Sequence, residues 1–430
     1  MKFIFLIGLF FCGKITAQTI GGQKQPAQSN KGDISIVKFD SSGKTLAVGY
    51  DLGTVEIWDL NPGHNTLMGI QSQIQGPICS IDFLDNLNQV LVVYQFGRIV
   101  FLNKQTGTVS KTFNVQFNEY YNKKPESVFT SVFDSTKRIL AIAGNMEGRI
   151  VLINVDSLYN GFKSSKDNIY TLHTRNSEWE IEPDKNGTSA SVLGVLSGGK
   201  FKQDRCIIAN FVLHNDQHLS DDQLITCIKI SSSLHTLFAG TKGGAIIKWH
   251  IRDTSGEVLP EKLLPLITAG HKADYQDILG IDCTDSVMVS VGFGTSRVGD
   301  FQIWDPSDVS LIGYKKEGDF STCRRIVLSS NGQIGISTGD FSYRIWRKTG
   351  DDFILFKDIK YKSSVGYDTK FAGAAIFNNK LVALGDKNNV YFFDMDGMQY
   401  LNNLRGSADH LDEENYKDGD PETVTTKAPE

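Results

Sequence analysis

Residue types and spacings that chemistry requires are few in this chain. His214 and His218 stand four apart, with Asp216, Asp221 and Asp222 beside them. On a helix that spacing puts both imidazoles on one face, where they could ligate a divalent metal. The run Asn215-Asp216-Gln217-His218-Leu219-Ser220 reads instead as a loop between strands, so no metal is expected. Asp394-Met395-Asp396-Gly397 has the outline of a calcium loop but lacks the acidic residue that closes a twelve-residue loop, and it reads as a strand-ending turn. No Gly-x-Ser-x-Gly elbow, phosphate-binding Gly-Lys loop or Cys-x-x-Cys pair appears. Asn186-Gly187-Thr188 is a glycosylation sequon, which matters only in an exported chain. The expectation is a non-catalytic protein without a cofactor.

The elements that must carry any site are more legible. Phe39 to Asp59 runs as an apolar-alternating segment ending in Phe39, a polar turn at Asp40–Lys44, and a buried-type strand Leu46-Ala47-Val48-Gly49. A tight turn at Asp51-Leu52-Gly53 and a second strand Val55-Glu56-Ile57-Trp58 follow, closed by Asp59. Period-two runs separated by Gly and Asp turns signal antiparallel hairpins. The frame returns at Phe83–Asn103, Phe133–Asn154 and Ile230–His250, then in three weaker copies ending at Trp304-Asp305, Trp346-Arg347 and Phe393-Asp394. Its terminal aromatic or aliphatic position falls at 58, 102, 153, 249, 304, 346 and 393. The intervals are 44, 51, 96, 55, 42 and 47, and all but the third match a four-stranded propeller blade.

These units resemble WD40 repeats. Trp58-Asp59 and Trp304-Asp305 match the family's dipeptide, and Gly270-His271 precedes the fifth unit in phase. Asp51, Asp340 and Asp386 match the Asp before the inner turn. The resemblance covers roughly residues 33 to 400. It implies an all-β propeller whose Trp58, Trp249, Trp304 and Trp346 are scaffold, packed between blades. The interval of 96 admits two readings. Residues 159–223 are an insertion on a seven-bladed ring, or they hold a degenerate eighth blade. The repeat frame is absent there, which favours seven. The strand-like Asn168–His173 would serve as the outer edge of blade three, and Ser191–Leu196 with Cys206–Leu213 would form a hairpin. Trp179, between Glu178 and Glu180, lies off the pattern. In the family an N-terminal strand completes the last blade. Residues 20–32 are too polar for that here, so closure is expected to use Gly397–Leu404.

Residues 1–17 read as a secretory signal peptide: Lys2, then an apolar run from Phe3 to Cys12, then Ala17 at a cut site before Gln18. The run is too short to span a membrane. A polar leader fills 18–32, the propeller 33–404, and an acidic, solvated tail 405–430. With 430 residues, a net charge of −5 and no basic stripe, the chain supports a large buried core and gives no indication of nucleic-acid binding. Five cysteines remain after the leader, an odd number at unrelated positions in the repeat, which fits buried thiols acting as small apolar groups.

The turns between the second and third strands of each unit emerge together on one face of such a ring. Tyr50, Tyr94, Phe96, Phe293, Arg297 and Phe341 would share that rim. Aromatics and Arg are the types enriched at interface hot spots, so protein or peptide partners are expected there. The alternative is a secreted propeller enzyme with a site in the channel, which convergent carboxylates or His would reveal. WD40-like proteins are mostly intracellular, so an uncleaved leader would leave a cytoplasmic scaffold. N-terminal sequencing of the mature chain should read from Gln18; an intact Met1 removes the export reading.

Overall fold

The computed structural model describes residues 31–61, 64–74, 76–95, 97–116, 128–144, 149–164, 169–173, 206–212, 225–251, 258–259, 277–293, 301–315, 323–339, 342–360, 373–386 and 389–405. The leader, the tail after Arg405, Trp179, Asn186 and the 214–222 histidine cluster lie outside them.

Seven antiparallel sheets follow one another around a ring, so the chain is a seven-bladed β-propeller. Blade one is β1 (Ile34–Phe39), β2 (Thr45–Tyr50), β3 (Val55–Asn61) and β4 (His64–Gln71), from the inside outward. Blade two is β5 (Ile78–Leu84), β6 (Gln89–Tyr94), β7 (Arg98–Asn103) and β8 (Val109–Gln116). Blade three begins with β9 (Val128–Asp134), β10 (Ile139–Gly144) and β11 (Arg149–Asn154). A short helix, α1 (Val155–Gly161), then leads to β12 (Tyr170–His173) and β13 (Ile207–Val212).

Here the structure corrects the sequence reading. The outer strand of blade three is β13, paired antiparallel with β11. Strand β12 pairs parallel with β8, as a fifth strand on the edge of blade two. The sequence reading had the 168–173 strand on blade three and 206–213 in a separate hairpin. Strand character was legible in both runs, but not which open edge each would find. Helix α1 was not anticipated. Asn154 caps it by accepting a hydrogen bond from the Ser157 N–H at 2.7 Å, and Val155 and Leu158 sink into the seam between blades two and three.

Blade four is β14 (Ile225–Ser231), β15 (Thr236–Thr241), β16 (Ile246–Ile251) and β17 (Val258–Leu259). Blade five is β18 (Asp277–Cys283), β19 (Met288–Phe293), β20 (Phe301–Trp304) and β21 (Leu311–Lys315). Blade six is β22 (Cys323–Leu328), β23 (Ile334–Gly339), β24 (Ser342–Thr349) and β25 (Asp352–Lys360). Blade seven is β26 (Ala374–Phe377), β27 (Leu381–Asp386), β28 (Asn389–Asp394) and β29 (Tyr400–Asn403).

The second strands of blades one, two, three, four and six are buried on both faces throughout, which is why they read as continuous apolar quartets rather than as alternation. The buried apolar residues fall into seven clusters, one per seam between neighbouring blades. Trp58, Trp249, Trp304 and Trp346 are each buried in the seam with the preceding blade. The inner strands carry a register irregularity in six blades, at Ile34/Ile36, Ile78/Ser80, Ala143/Gly144 on the partner strand, Ile225/Cys227, Ile278/Gly280 and Cys323/Arg325. Each is a bulge at the same end of the central channel.

Blades seven and one close the ring without sharing a strand. β29 is blade seven's own outer strand, as the sequence suggested for 397–404. Phe39 packs against Phe377 and Phe392, and the Asn65 amide donates to the Leu404 carbonyl at 3.3 Å. The seam is completed by Glu56, a fully buried carboxylate on β3. It accepts hydrogen bonds from the Tyr50 hydroxyl at 2.8 Å, Trp58 Nε1 at 3.1 Å, an Arg405 guanidinium nitrogen at 2.9 Å and the Lys31 ammonium. The first and last described residues of the ring are thus held by one side chain.

Burial by itself would raise the Glu56 pKa. The Lys31 and Arg405 charges and the Tyr50 hydroxyl outweigh it and hold the carboxyl below its ordinary 4.5. A depressed folded-state pKa contributes stability above the ordinary value, which is lost as pH falls through the folded one. Glu56→Gln should therefore lower neutral-pH stability by about 2 kcal/mol, discounted because both cations keep some solvent. It should also flatten the acid limb below pH 4.5. Denaturant titrations between neutral and acid pH check both.

Candidate functional site

In every blade the turn after the inner strand and the turn after the second strand lie at opposite ends of the second strand, so the ring has two distinct faces. The expected aromatic rim belongs to the second of these. Tyr50 and Tyr94 are the last residues of β2 and β6, and the structure removes both from the surface: neither ring is more than 1% exposed. The Tyr94 hydroxyl donates to the Gly53 carbonyl of blade one at 3.1 Å and lies 2.9 Å from the Gln71 side-chain amide. Tyr50 donates to Glu56 and accepts from Arg405, the end of blade seven. Each tyrosine thus fastens its blade to the one before it. Burial raises both phenols well above their ordinary value, so they remain donors at neutral pH. Gly53 has no alternative in this arrangement. Its φ is +97°, and a Cβ there would lie 2.6 Å from the Ile74 carbonyl oxygen.

Phe96, Arg297, Phe341, Asp340, Gly270 and His271 lie outside the described residues. Phe293 ends β19 and Asp386 ends β27, their side chains also outside the description. Asp51 accepts the Asp33 N–H at 3.1 Å and so pins the start of the first inner strand. Asp59 accepts from the Asn61 amide at the end of β3, and Asp305 from the Ser307 N–H within a turn. Asp394 accepts from the N–H groups of Gly397 and Gln399 at 2.7 and 2.8 Å, which makes it the cap of a turn.

The channel wall carries a charged layer that the repeat pattern did not reveal. Lys38, Asp82, Lys229 and Asp282 hold equivalent positions on β1, β5, β14 and β18. Lys38 pairs with Asp82 at 3.2 Å and Lys229 with Asp282 at 2.6 Å, each across a seam. Asp282 also accepts the Leu328 N–H at 2.7 Å, joining blade five to blade six. Burial pushes Asp82 up, with Lys38 opposing it. Burial would lower Lys229, but Asp282 more than offsets this and the ammonium stays charged. The four charges cancel in pairs.

The channel opens at the face of the first turns into a cavity of about 510 Å³. Its walls hold Lys229, Asp282, Asp285 and the serines of three turns: Ser231–Ser233 from blade four, Ser286 from blade five, and Ser329 and Ser330 from blade six. The turns on this face are tied to one another. The Ser41 N–H reaches Asp85 at 3.2 Å, Ser232 reaches Asp134 at 2.7 Å, Ser233 reaches Asp285, and Ser330 reaches Asn379 at 3.1 Å. Lys104 bridges Asp40 and Asp85 at 2.7 Å each. The cavity is therefore preformed, hydroxyl-lined, and bordered by one exposed carboxylate, Asp285. Sequence reasoning passed over it because Ser and Asp in such turns are ordinary turn chemistry. Cys227 and Cys283 are free thiols.

Among the solved structures to which the chain is similar is one described as the computationally designed Ika8 protein. Identity is 15%, with 88% of this chain and 89% of that chain covered and a TM-score of 0.48. No protein-family model and no curated protein matches the sequence.

Tyr94→Phe should lower stability by about 1–2 kcal/mol, because it strips the Gly53 carbonyl of a buried donor and leaves the Gln71 amide short of a partner. Equilibrium denaturation measures this, and an unchanged midpoint would contradict the buried placement.

Proposed function

We propose that the protein is a non-catalytic platform, built from diverged WD40-like repeats, that binds a protein or peptide partner. The single observation that carries this reading is the cavity at the channel mouth, whose turns are hydrogen-bonded to neighbouring turns across the seams of blades three and four, four and five, and six and seven. A site that needs no ordering on binding loses little entropy there. The reading moves the docking face from the second turns to the first, because Tyr50 and Tyr94 are structural. Lys229 and Asp282 neutralise each other, which leaves Asp285 to set the sign. The partner segment would present donors, Lys or Arg side chains or backbone N–H groups. Trp304 Nε1 donates to Ser290 at 2.8 Å and Trp346 Nε1 to Ser337 at 2.9 Å. These bonds support the repeat resemblance, since both terminal tryptophans tie the third strand to the second in the same way.

A channel-centred enzyme fits less well. The Asp82 and Asp282 carboxylates are held by lysines and a backbone N–H rather than left to act as acid or base. We place the protein in the secretory pathway on the strength of its leader.

Asp285→Lys and Ser330→Trp should each abolish capture of the natural partner while shifting the unfolding midpoint little, since both residues are on the exposed turns. Capture by both variants at the wild-type level would reject this face.

A further inference from the structure

At the bulged end of the channel stands a cation whose status differs from that of Lys38 and Lys229. Arg325 follows the inserted residue Arg324 on β22 and is half-buried. Its Nη1 donates to the Ser35 carbonyl of blade one at 2.7 Å, reaching past blade seven. The inner strands on either side carry glycine at this level. A Cβ on Gly280 of blade five would lie 3.0 Å from the Arg325 Cα, and one on Gly373 of blade seven 2.4 Å from the Val37 nitrogen. Neither position admits a side chain that could cover the guanidinium.

A guanidinium has five N–H donors and stays charged. Among the described residues Arg325 has one acceptor, the Ser35 carbonyl, and no ion-pair partner. Burial works against its charge, and the groups that favour the charge are the Cys79 thiol and the Tyr343 phenol rather than a carboxylate. Burial pushes the thiol up to about 12. The phenol donates its proton to the Gly373 and Gly385 carbonyls at 3.1 and 2.5 Å. Neither group therefore supplies a negative charge at physiological pH. Lys38 and Lys229, by contrast, each meet an aspartate on the next blade.

A second unmatched group stands beside the first. Arg325 pairs with Thr338 of β23, and Thr338 with Tyr343 of β24, so the three side chains share the face of blade six that is turned toward blade seven. Thr338 is fully buried, and its hydroxyl oxygen has no hydrogen-bond partner. Native interiors seldom leave such a hydroxyl unmatched. An oxyanion suits both groups. The Nε and Nη2 edge of a guanidinium fits two oxygens of one carboxylate or phosphate, and the hydroxyl has a proton to give to the same anion.

We propose that Arg325 and Thr338 form a binding site for a small oxyanion, a carboxylate or a phosphate, entered from the bulged end of the channel. The site lies at the opposite mouth from the docking cavity and does not depend on that reading. Arg325 already spans from blade six to blade one, so a bound anion stiffens that span.

Thermal unfolding of the full-length chain at constant ionic strength tests this, with acetate and inorganic phosphate as probes and chloride as the control. Acetate, phosphate or both should raise Tm saturably, by roughly 2 °C at about tenfold excess over the half-saturating concentration. A rise with acetate alone assigns a carboxylate ligand, and a rise with phosphate alone assigns a phosphate. The rise should vanish in Arg325→Gln, and Thr338→Val should raise the half-saturating concentration about tenfold. No rise with either probe, an equal rise with chloride, a rise kept in Arg325→Gln, or an unchanged half-saturating concentration in Thr338→Val overturns the proposal. Should Arg325→Gln fail to fold, a crystal of the wild-type chain soaked with the effective probe decides. The anion must then lie within hydrogen-bond distance of the Arg325 guanidinium, and density for it only at other places overturns the site.

Discussion

Each blade is a small sheet whose second strand is apolar on both faces, and such a sheet has no stable form alone in water. Burying both faces requires a neighbour on each side, and only a closed ring gives every sheet two. The seven seam clusters are this constraint made visible. The in-phase tryptophans fill the seam behind their own strand, and Tyr50 and Tyr94 lock the seams between blades seven and one and between blades one and two by hydrogen bonds. The seam between blades seven and one is the exception, because the chain is cut there. Glu56 takes over at that point, holding Lys31 and Arg405 by charge where covalent continuity ends.

Closure in turn decides what the two faces can do. One face gathers the turns that follow the inner strands, which bond to one another across four of the seams beside a polar cavity. The other gathers the bulged strand starts, both chain exits and Arg325. Between them lies a wall layer with its charges cancelled in pairs. The charges of this layer are therefore satisfied within the wall.

Much of the fold was legible in the sequence because the repeat writes the same burial seven times. A period-two run that ends in an aromatic at a fixed distance from a Gly turn has one economical solution, and the positions of Trp58, Trp249, Trp304 and Trp346 follow from it. The segment at 159–223 was misassigned for a physical reason. Strand propensity in Tyr170–His173 and Ile207–Val212 says that these runs will pair, but not with which edge, since backbone donors and acceptors are alike on every blade. The tyrosines failed differently. Tyr50 and Tyr94 stand next to turns, and turn-proximal aromatics look exposed in a sequence. Their hydroxyls have buried partners contributed by distant residues, Arg405 for one and Gln71 with Gly53 for the other.

What the amino-acid order determined by itself was local: strand, turn, strand and the apolar quartets, because these depend on neighbours within a few residues. The tertiary structure alone decided which charges meet. Lys38 with Asp82, Lys229 with Asp282, and Glu56 with Arg405 are each brought together across a seam, and Lys31 joins Glu56 from the lead-in to blade one. Ion pairing depends on distance in space, and in a ring that distance is settled only when the last blade meets the first.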